Sequence, residues 1–258
     1  MASDMSKPIR EIDINSLEPS EITCDQLTDS WDIYQLKRGH RFSADDIFTA
    51  YFASKSHPHP KTILDLGAGI GTVGLLTLSR FPQATLTMIE AQQISHQLAA
   101  KTISQNGLSD RVQAIHGDLR HTDLQNRRFD LITGSPPYFP VEKGVMSPHP
   151  QRAACRMELR GSIIDYAQTA ARYLKDDGFF VVCFAANDNR SIEALSSANL
   201  HCILRQDIVF RADLPPTISI FVSQKHPGRL VHAAPIMIRD HLGKWTNTYA
   251  KIRNFDDL

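Results

Sequence analysis

The feature that most constrains the fold is a pattern of strand, turn and helix that repeats from residue 62 onward. An apolar strand "TILDL" is followed by a glycine turn "GAGIG" and a helix over "TVGLLTLSRF". The strands "ATLTMIE", "RVQAIHGD" and "FDLITG" come next, with a helix over "AQQISHQLAAKTISQNG" after the first of them. Strands that alternate with helices predict an α/β fold, a mostly parallel sheet with helices on both faces. Ligands of such sheets bind beyond the carboxyl ends of the strands.

The remaining elements complete a single domain. The helix "RFSADDIFTAYFAS" precedes the repeat, and Ser43 with Asp46 has the form of a capping box at its start. After an irregular piece over residues 140–161 come a helix "SIIDYAQTAARYLKDDG", with Ile164 on its apolar stripe, and a strand "FFVVCFA". Further strand candidates are "LHCILRQDIVF", "TISIFVSQK" and "GRLVHAAPIMIRD". We therefore expect one domain over residues 31–258, preceded by an acidic, loosely ordered extension over residues 1–30.

Composition excludes several classes of protein. The 28 basic and 28 acidic residues balance to a formal net charge of +0, which argues against a protein that coats nucleic acid by charge alone. The balance hides an asymmetry, because residues 1–30 hold seven acids and two bases while residues 201–258 hold eight bases and five acids. The four scattered cysteines predict neither a disulfide framework nor a metal site. The lack of a long apolar run or apolar signal core predicts a cytoplasmic protein without a membrane span.

The glycine turn, residues 65–71, predicts a nucleotide-type ligand. Glycines let the backbone approach a ligand closely, and the helix that starts near Thr72 directs its free amide groups toward it. Glu90 ends the second strand 19 residues after Gly71, where a ribose-binding acid is expected for a dinucleotide or for an adenosine-type cofactor. The alternative for Glu90 is an acid that favours a helix N-terminus.

Residues 135–138, which read Ser-Pro-Pro-Tyr, form a rigid elbow at the end of the fourth strand. Pro136 and Pro137 lack the backbone donor that a sheet needs and restrict the chain that follows. The elbow carries a hydroxyl at Ser135 and aromatic rings at Tyr138 and Phe139. The alternative is an ordinary turn that ends a strand. Because the glycine turn, Glu90, Asp118 and the elbow all follow strand ends, they are expected to share one crevice.

Asp65, Gly67, Gly69, Gly71 and Glu90 together resemble the signature of class I S-adenosylmethionine-dependent methyltransferases. The resemblance implies a Rossmann-like, mostly parallel seven-stranded sheet with an antiparallel strand near the C-terminus. It also implies S-adenosylmethionine as cofactor and S-adenosylhomocysteine as product. The cofactor-binding residues it implies are Arg41, Phe42, Asp65, Gly67, Ala68, Gly69, Gly71, Glu90, Ala91, Asp118, Leu119 and Ser135. For Arg41 and Phe42 the implied role is a lid, and the alternative is helix-entry packing and a surface arginine.

The elbow resembles the Asn/Asp/Ser-Pro-Pro-Tyr/Phe/Trp motif of enzymes that methylate a conjugated amine. Such a nitrogen is a poor nucleophile until acceptors hold its hydrogens. The resemblance makes Ser135, Pro136, Pro137 and Tyr138 catalytic, because Ser135 and the Pro136 carbonyl are the two acceptors and Tyr138 supplies a stacking face. Phe139 adds to that face.

One subfamily is more similar than the others. The segments "YQLKRGHRFSADDIFTAYFAS", "ILDLGAGIGTVGLL", "GDLR", "FDLITGSPPYF", "QRAACRMELRGSIIDYAQTAARYLKDDGFFVV" and "PIMIRDHLGKWTNTY" resemble those of bacterial tRNA adenine-N6 methyltransferases that act on valine tRNA. The resemblance covers roughly residues 33–250 and implies an enzyme that methylates adenine N6 in tRNA. It departs from the family at Ser135, where the family has asparagine, and serine there is familiar from cytosine-N4 methyltransferases of DNA.

Two alternatives stay open at this point. The acceptor is another conjugated or small amine, such as cytosine N4 or a protein glutamine, or the chain is a methyltransferase-fold RNA-binding subunit without turnover. Four basic residues after the elbow are predicted to contact RNA phosphates, and the alternative is a solvated loop with ordinary surface charges. These residues are Lys143, Arg152, Arg156 and Arg160.

Overall fold

The computed structural model of the protein describes residues 11–140 and 147–258. Two single-turn 3-10 helices, Ile14–Ser16 and Pro19–Glu21, come first. The strands are β1 (Ile22–Gln26), β2 (Asp32–Leu36), β3 (Thr62–Leu66), β4 (Thr85–Glu90), β5 (Val112–His116), β6 (Phe129–Gly134), β7 (Leu174–Ala185), β8 (His201–Val209), β9 (Ile218–Gln224) and β10 (Val231–Met237). The helices are α1 (Ala44–Ser56), α2 (Thr72–Ser79), α3 (Gln93–Gln105), α4 (Pro150–Arg156), α5 (Ile163–Tyr173), α6 (Arg190–Ser197) and α7 (Asn247–Arg253).

The main sheet has eight strands in the order β10-β8-β9-β7-β6-β3-β4-β5. Its strand pairs are parallel except at β9, which runs antiparallel to both β7 and β8. The predicted fold class is therefore confirmed. The sheet has eight strands rather than the expected seven because β10 pairs in parallel with β8 and adds a strand at the edge.

The order of the strands reverses beside β3, which lies between β4 and β6. The chain runs outward from β3 through β4 to β5 and then returns to form β6 on the other side of β3. Such a switch point opens a crevice at the carboxyl ends of the strands. Because the glycine turn follows β3 and the elbow follows β6, the topology brings both to this crevice.

Alternate residues of β7 pack on opposite faces of the sheet, as the pleat of a strand requires. Val181 and Cys183 belong to the core that α1, α2, α3 and α7 cover, while Phe180, Val182 and Phe184 belong to the core that α5 and α6 cover. All five side chains are fully buried. The sheet is therefore covered on both faces, which leaves its strand ends as the place for a site.

Residues 11–30, the described part of the extension that the sequence predicted to be loosely ordered over residues 1–30, form regular elements. Residues 11–30 contain the two 3-10 helices and β1, which pairs antiparallel with β2. Ile14, Leu17 and Ile22 pack against a core cluster that includes residues of α3. The side chains of Gln93 and Gln97 on α3 donate hydrogen bonds to Asp13. These apolar residues are spaced among acids, which hid them from a prediction based on composition.

Three short helices were not predicted from the sequence. α4 lies inside the piece expected to be irregular and has Pro150 in its first turn, while α6 and α7 lie in the C-terminal half. Helices of seven or eight residues show too few apolar repeats to stand out in a sequence. On α5, Ile164 is 47% exposed although it was placed on the apolar stripe. The other side of the helix is buried and carries Ile163, Tyr166, Ala167, Ala170 and Tyr173.

Within the described residues, no helix combines the length and the apolar character that crossing a membrane requires.

Candidate active site

A cavity of about 420 Å³ opens at the carboxyl ends of β3, β4 and β6. Its wall contains the glycine turn, Glu90 and the elbow, and the N-terminus of α1 and the segment after α4 close it. The volume falls within the range of roughly 300–1,000 Å³ that small-molecule sites occupy. The elements that the topology brings together therefore line one cavity that is open to solvent.

The glycine turn places backbone against the cavity without side chains. Gly67 and Gly69 both have φ of 59°, a left-handed conformation that favours glycine. A Cβ on Gly67 would lie 1.8 Å from Tyr166 Oη, whereas a Cβ on Gly69 would meet no atom within 4 Å. Gly71, with φ of 95°, starts α2 and faces Met88 and Leu75 instead of the cavity. Gly67 is thus required by packing, and Gly69 leaves open space beside the backbone.

Asp65 is a buried carboxylate that holds the turn to its neighbours. Its Oδ2 accepts a hydrogen bond from the Gly74 amide at 3.0 Å, and its Oδ1 accepts one from Thr133 Oγ1 at 2.7 Å. Burial raises the pKa of Asp65 to about 6, against these two hydrogen bonds, which lower it. The carboxylate links β3, α2 and β6 at the base of the cavity.

Glu90 holds the turn from the side of β4. Its Oε2 accepts from the Gly69 amide at 2.8 Å and its Oε1 accepts from the Gln92 amide at 2.6 Å. Burial raises the pKa of Glu90, while the two amides lower it. Each oxygen accepts one backbone hydrogen bond and keeps further acceptor capacity for a hydroxyl in the cavity.

The elbow is braced by the chain around α4. The Phe139 amide donates to the Arg156 carbonyl at 3.2 Å, and the Glu158 amide donates to the Phe139 carbonyl at 3.0 Å. Arg190 Nη2 donates to the Tyr138 carbonyl at 3.3 Å, and Arg190 Nη1 lies 2.6 Å from Glu158 Oε1. The backbone that follows the two prolines is therefore fixed by partners far away in the sequence.

Tyr138 is anchored at its hydroxyl. Tyr138 Oη donates to Asp45 Oδ2 on α1 at 3.2 Å and lies 3.1 Å from Cys183 Sγ on β7. Its ring meets the edge of Phe184 with centroids 5.6 Å apart. Burial raises the pKa of the Tyr138 phenol well above its usual value, so the group stays protonated. Phe139, by contrast, lines the cavity with a side chain that is 49% exposed.

Most residues that the sequence predicted for the site line this one cavity. They are Phe42, Asp65, Gly67, Ala68, Gly69, Glu90, Ala91, Leu119, Ser135, Pro136, Pro137, Tyr138, Phe139 and Arg156.

Four predicted residues lie outside the cavity wall. They are Gly71, Arg41, Arg152 and Asp118. Arg41 donates a hydrogen bond to Thr23 Oγ1 and forms an ion pair with Asp25. Arg152 donates hydrogen bonds to the Arg38 and Gly39 carbonyls. Asp118 forms an ion pair with Arg120, although its neighbours Gly117 and Leu119 line the cavity. Lys143 lies outside the described residues.

Tyr166 is the main residue of the site that the sequence did not reveal. It packs against two glycines, because a Cβ on Gly67 would lie 1.8 Å and one on Gly134 2.9 Å from its side chain. Its position on α5, three residues after Ile163 and four before Ala170, is a helical repeat that signals burial. A buried tyrosine facing two glycines fixes the distance between α5 and the strand ends.

Asp45 and Arg160 also line the cavity without having been predicted as cofactor or catalytic residues. The Arg160 guanidinium lies close enough to Glu90 to lower the pKa of that carboxyl, against the burial that raises it. Arg160 Nη2 forms an ion pair with Glu11, and Arg160 Nη1 is buried without a hydrogen-bond partner in the described part of the chain. Asp45 lies in the capped first turn of α1. The sequence analysis explained the polar residues of that turn by helix formation, so they did not indicate a site.

Comparison with known proteins agrees with this geometry. The family model for the methyltransferase small domain matches residues 42–195. A protein of Flavobacteriaceae bacterium (strain 3519-10), described as tRNA1(Val) (adenine(37)-N6)-methyltransferase, is 28% identical over 178 residues, 69% of this chain and 74% of that protein. A protein of the same description from Haemophilus influenzae (strain PittGG) is 26% identical over 216 residues, 82% of this chain and 89% of that protein.

Among solved structures, a predicted O-methyltransferase of Agrobacterium tumefaciens superposes with a TM-score of 0.63 at 17% identity. The match covers 82% of this chain and 96% of that structure. At this identity the similarity concerns the fold alone.

Proposed function

The chain belongs to the methyltransferase small domain family, and on that premise we propose that it transfers a methyl group from S-adenosylmethionine to N6 of an adenine in tRNA. The observation that carries the proposal is the single cavity that holds both the glycine turn with Glu90 and the Ser-Pro-Pro-Tyr elbow. The two relatives described as tRNA adenine-N6 methyltransferases support adenine in tRNA as the acceptor.

The residues of the cavity fit S-adenosylmethionine. Gly69 leaves unfilled space beside its backbone, and the Glu90 carboxylate keeps acceptor capacity for the hydroxyls of a ribose. Gly117 and Leu119 line the far side, where the adenine of the cofactor is proposed to lie. When bound, this cofactor supplies an electrophilic methyl group on a sulfonium sulfur.

The elbow is proposed to hold the acceptor amine. The adenine N6 lone pair is delocalised into the ring, so oxygen acceptors that hold its hydrogens raise its reactivity. The Ser135 hydroxyl and the Pro136 carbonyl are the two acceptors proposed, and the prolines keep them in place. Catalysis then depends mainly on positioning.

Tyr138 and Phe139 are proposed to bind the flat base. Tyr138 is held at its hydroxyl and packs at right angles to Phe184, and Phe139 lines the cavity with a half-exposed side chain. Because the pKa of Tyr138 is raised well above its usual value, the phenol does not serve as a base. The two rings supply orientation through stacking.

The experiment that tests the function is methyl transfer from labelled S-adenosylmethionine to tRNA, ribosomal RNA, DNA and protein of cells that lack the enzyme. Mass spectrometry then identifies the labelled nucleoside, and N6-methyladenosine in tRNA is expected. Label on cytosine N4, which the serine at position 135 favours as a second candidate, would replace adenine by cytosine as the acceptor. Cofactor binding without transfer to any acceptor would contradict the proposal.

Variants of the elbow test the clamp. Tyr138→Ala is expected to lower kcat for tRNA about a hundredfold, from stacking energies of roughly 1–3 kcal/mol per base, with unchanged affinity for S-adenosylhomocysteine. Ser135→Ala removes one acceptor, and Ser135→Asn restores the residue usual in the similar tRNA methyltransferases. Full activity in both alanine variants would contradict the clamp, and activity in Ser135→Asn above that of Ser135→Ala is expected.

We also infer that residues 31–258 act as one domain. The support is the continuous main sheet, whose strands β3 to β10 run from residue 62 to residue 237. Limited proteolysis is expected to leave this part of the chain intact.

A further inference from the structure

A cluster of aromatic and basic side chains lies near the C-terminus, outside the cavity described above. We call Arg239, Trp245, Tyr249 and Arg253 the Trp245 cluster. Arg239 and Trp245 face each other across a short hairpin in which the Asp240 amide donates to the Lys244 carbonyl at 2.9 Å. Each of the four side chains is therefore placed by hairpin or helix geometry.

The Trp245 ring has several stacking partners and is still exposed. The Arg239 guanidinium lies 4.1 Å and that of Arg253 5.4 Å from the Trp245 ring centroid. Tyr249 stacks on Trp245 with centroids 4.8 Å apart and planes 13° apart. Trp245 nevertheless remains 49% exposed. Tyr249 and the Arg239 guanidinium thus cover the two faces of the indole, and the cluster presents the indole edge and two guanidinium groups to a further ligand.

The charges of this cluster have no carboxylate partner among the described residues. Five arginines elsewhere form ion pairs with aspartate or glutamate: Arg41, Arg120, Arg160, Arg190 and Arg205. Arg239 instead donates to the Gly243 carbonyl at 2.7 Å, which fixes its guanidinium over the indole. Two positive charges held against an exposed aromatic ring are complementary to a nucleotide, which offers a phosphate and a flat base.

The Trp245 cluster lies on the side of the sheet where the strands have their carboxyl ends, which is the side that carries the cavity. β10 runs parallel to β8, which runs in the same direction as β6 and β7, so their carboxyl ends share one edge. Arg239 follows β10 by two residues.

A continuous chain of contacts joins the cluster to the elbow. Tyr138 Oη contacts Asp45, Phe48 lies one helical turn further along α1, and Phe48 stacks on Tyr249 at 5.6 Å. Trp245 is therefore no more than about 26 Å from the Tyr138 hydroxyl, counting about 5.4 Å for the helical turn and adding the lengths of the Asp45 and Phe48 side chains. A short run of RNA nucleotides spans such a distance.

We propose that the Trp245 cluster binds a second nucleotide of the RNA whose adenine enters the cavity, with its base against the exposed edge of Trp245 and its phosphate between Arg239 and Arg253. The inference rests on the proposed function and adds to it a contact for the strand outside the cavity. The formal net charge of +0 makes such a local contact necessary, because the protein as a whole does not attract a polyanion.

The first experiment measures methyl transfer to tRNA by full-length variants. Trp245→Ala and the double variant Arg239→Ala/Arg253→Ala are each expected to raise KM for tRNA about tenfold, with unchanged affinity for S-adenosylhomocysteine. The double variant is also expected to lower the slope of log K against log salt by about 0.7, the value for one phosphate of a single strand.

Matched controls keep the test specific. Leu230→Ala removes an apolar side chain that is as exposed as Trp245, and Arg128→Ala removes an exposed arginine. Both residues precede strands, at the amino ends of β10 and β6, whereas the Trp245 cluster lies at the carboxyl ends. Neither control is expected to change KM for tRNA. Equal KM values for the wild type and both cluster variants would overturn the inference and leave the proposed function standing.

The second experiment observes the indole directly and does not depend on turnover. The chain has two tryptophans, Trp31 and Trp245, so Trp31→Phe leaves Trp245 as the fluorescent group. Contact of a base with the indole edge is expected to quench this fluorescence when tRNA is added. Quenching in a protein that binds tRNA without methylating it would support RNA binding by the Trp245 cluster and contradict the proposed function. Tight tRNA binding with unchanged fluorescence would contradict the proposal that the Trp245 cluster binds RNA.

Discussion

The two halves of the cavity are built in different ways. The half formed by the glycine turn and Glu90 is held by hydrogen bonds from backbone amides to buried carboxylates of neighbouring elements, as between the Gly69 amide and Glu90 at 2.8 Å. The half formed by the elbow is held by side chains from distant parts of the chain, such as Asp45 and Cys183 at the Tyr138 hydroxyl. Binding of the cofactor is thus proposed to depend on local geometry, and positioning of the acceptor on long-range packing.

The largest effect is expected in the first half, from Gly67→Ala. The new Cβ would lie 1.8 Å from Tyr166 Oη at a φ of 59°, and Tyr166 is buried against Gly134. We expect the free energy of unfolding to fall by about 3 kcal/mol or more, with at least a hundredfold weaker binding of S-adenosylhomocysteine. Urea denaturation and isothermal titration calorimetry measure the two quantities.

Gly107→Ala is the matched control for that variant. Gly107 has φ of 65°, and no atom lies within 4 Å of an added Cβ. Its substitution therefore strains the left-handed backbone but causes no clash with another side chain. A loss of roughly 1–2 kcal/mol and unchanged cofactor binding are expected. Equal effects of the two substitutions would show that the contact with Tyr166 is unimportant.

A smaller effect is expected from the buried charge of Asp65. Its pKa is raised from 3.8 to about 6 in the folded protein, so the native state binds the proton more tightly than the unfolded state. Stability from this group is therefore present below about pH 3.8 and is lost as pH rises toward 6. The loss is about 3 kcal/mol, from 1.36 kcal/mol per pKa unit.

Asp65→Asn removes this titration and keeps an acceptor for the Gly74 amide or Thr133. The free energy of unfolding of the wild type minus that of the variant is expected to decrease between pH 4 and pH 7. Denaturant titrations at several pH values measure it. A difference independent of pH would contradict the raised pKa.

The smallest effect is expected in the second half, at the Tyr138 hydroxyl. Tyr138→Phe keeps the stacking ring and removes the contacts to Asp45 and Cys183, and Asp45→Ala removes one acceptor. Each is expected to lower kcat about tenfold, the size of a hydrogen bond to a charged group, with little change in cofactor affinity. The double variant is expected to lose little more than either single variant, because both remove the same interaction. Additive losses would mean that Asp45 acts independently of Tyr138.

Much of the first half could be predicted from the sequence. Gly67, Gly69 and Glu90 line the cavity as predicted, because glycine spacing and strand ends determine a turn from nearby residues. The glycine turn and the capping box at Ser43 are local devices of the same kind. Arg41 and Asp118 pair with Asp25 and Arg120 and lie outside the cavity wall, and their placement at the cofactor stays a prediction.

The second half was only partly predictable. The elbow follows β6 as expected, and Ser135 and Tyr138 line the cavity. Asp45 at the Tyr138 hydroxyl is separated from it by 93 residues, and no local pattern indicated the contact. The Trp245 cluster likewise depends on a hairpin and a seven-residue helix that periodicity did not detect.

The sequence by itself determined the α/β fold class, the glycine turn and the rigid elbow. Each depends on residues close in the chain, through strand periodicity, glycine conformation and proline restriction. Only the tertiary structure decided which side chains complete the cavity, namely Tyr166, Asp45 and Arg160. It also decided that Arg239 and Arg253 meet at Trp245. Contacts between distant residues follow from the packing of whole elements, which no short segment of sequence encodes.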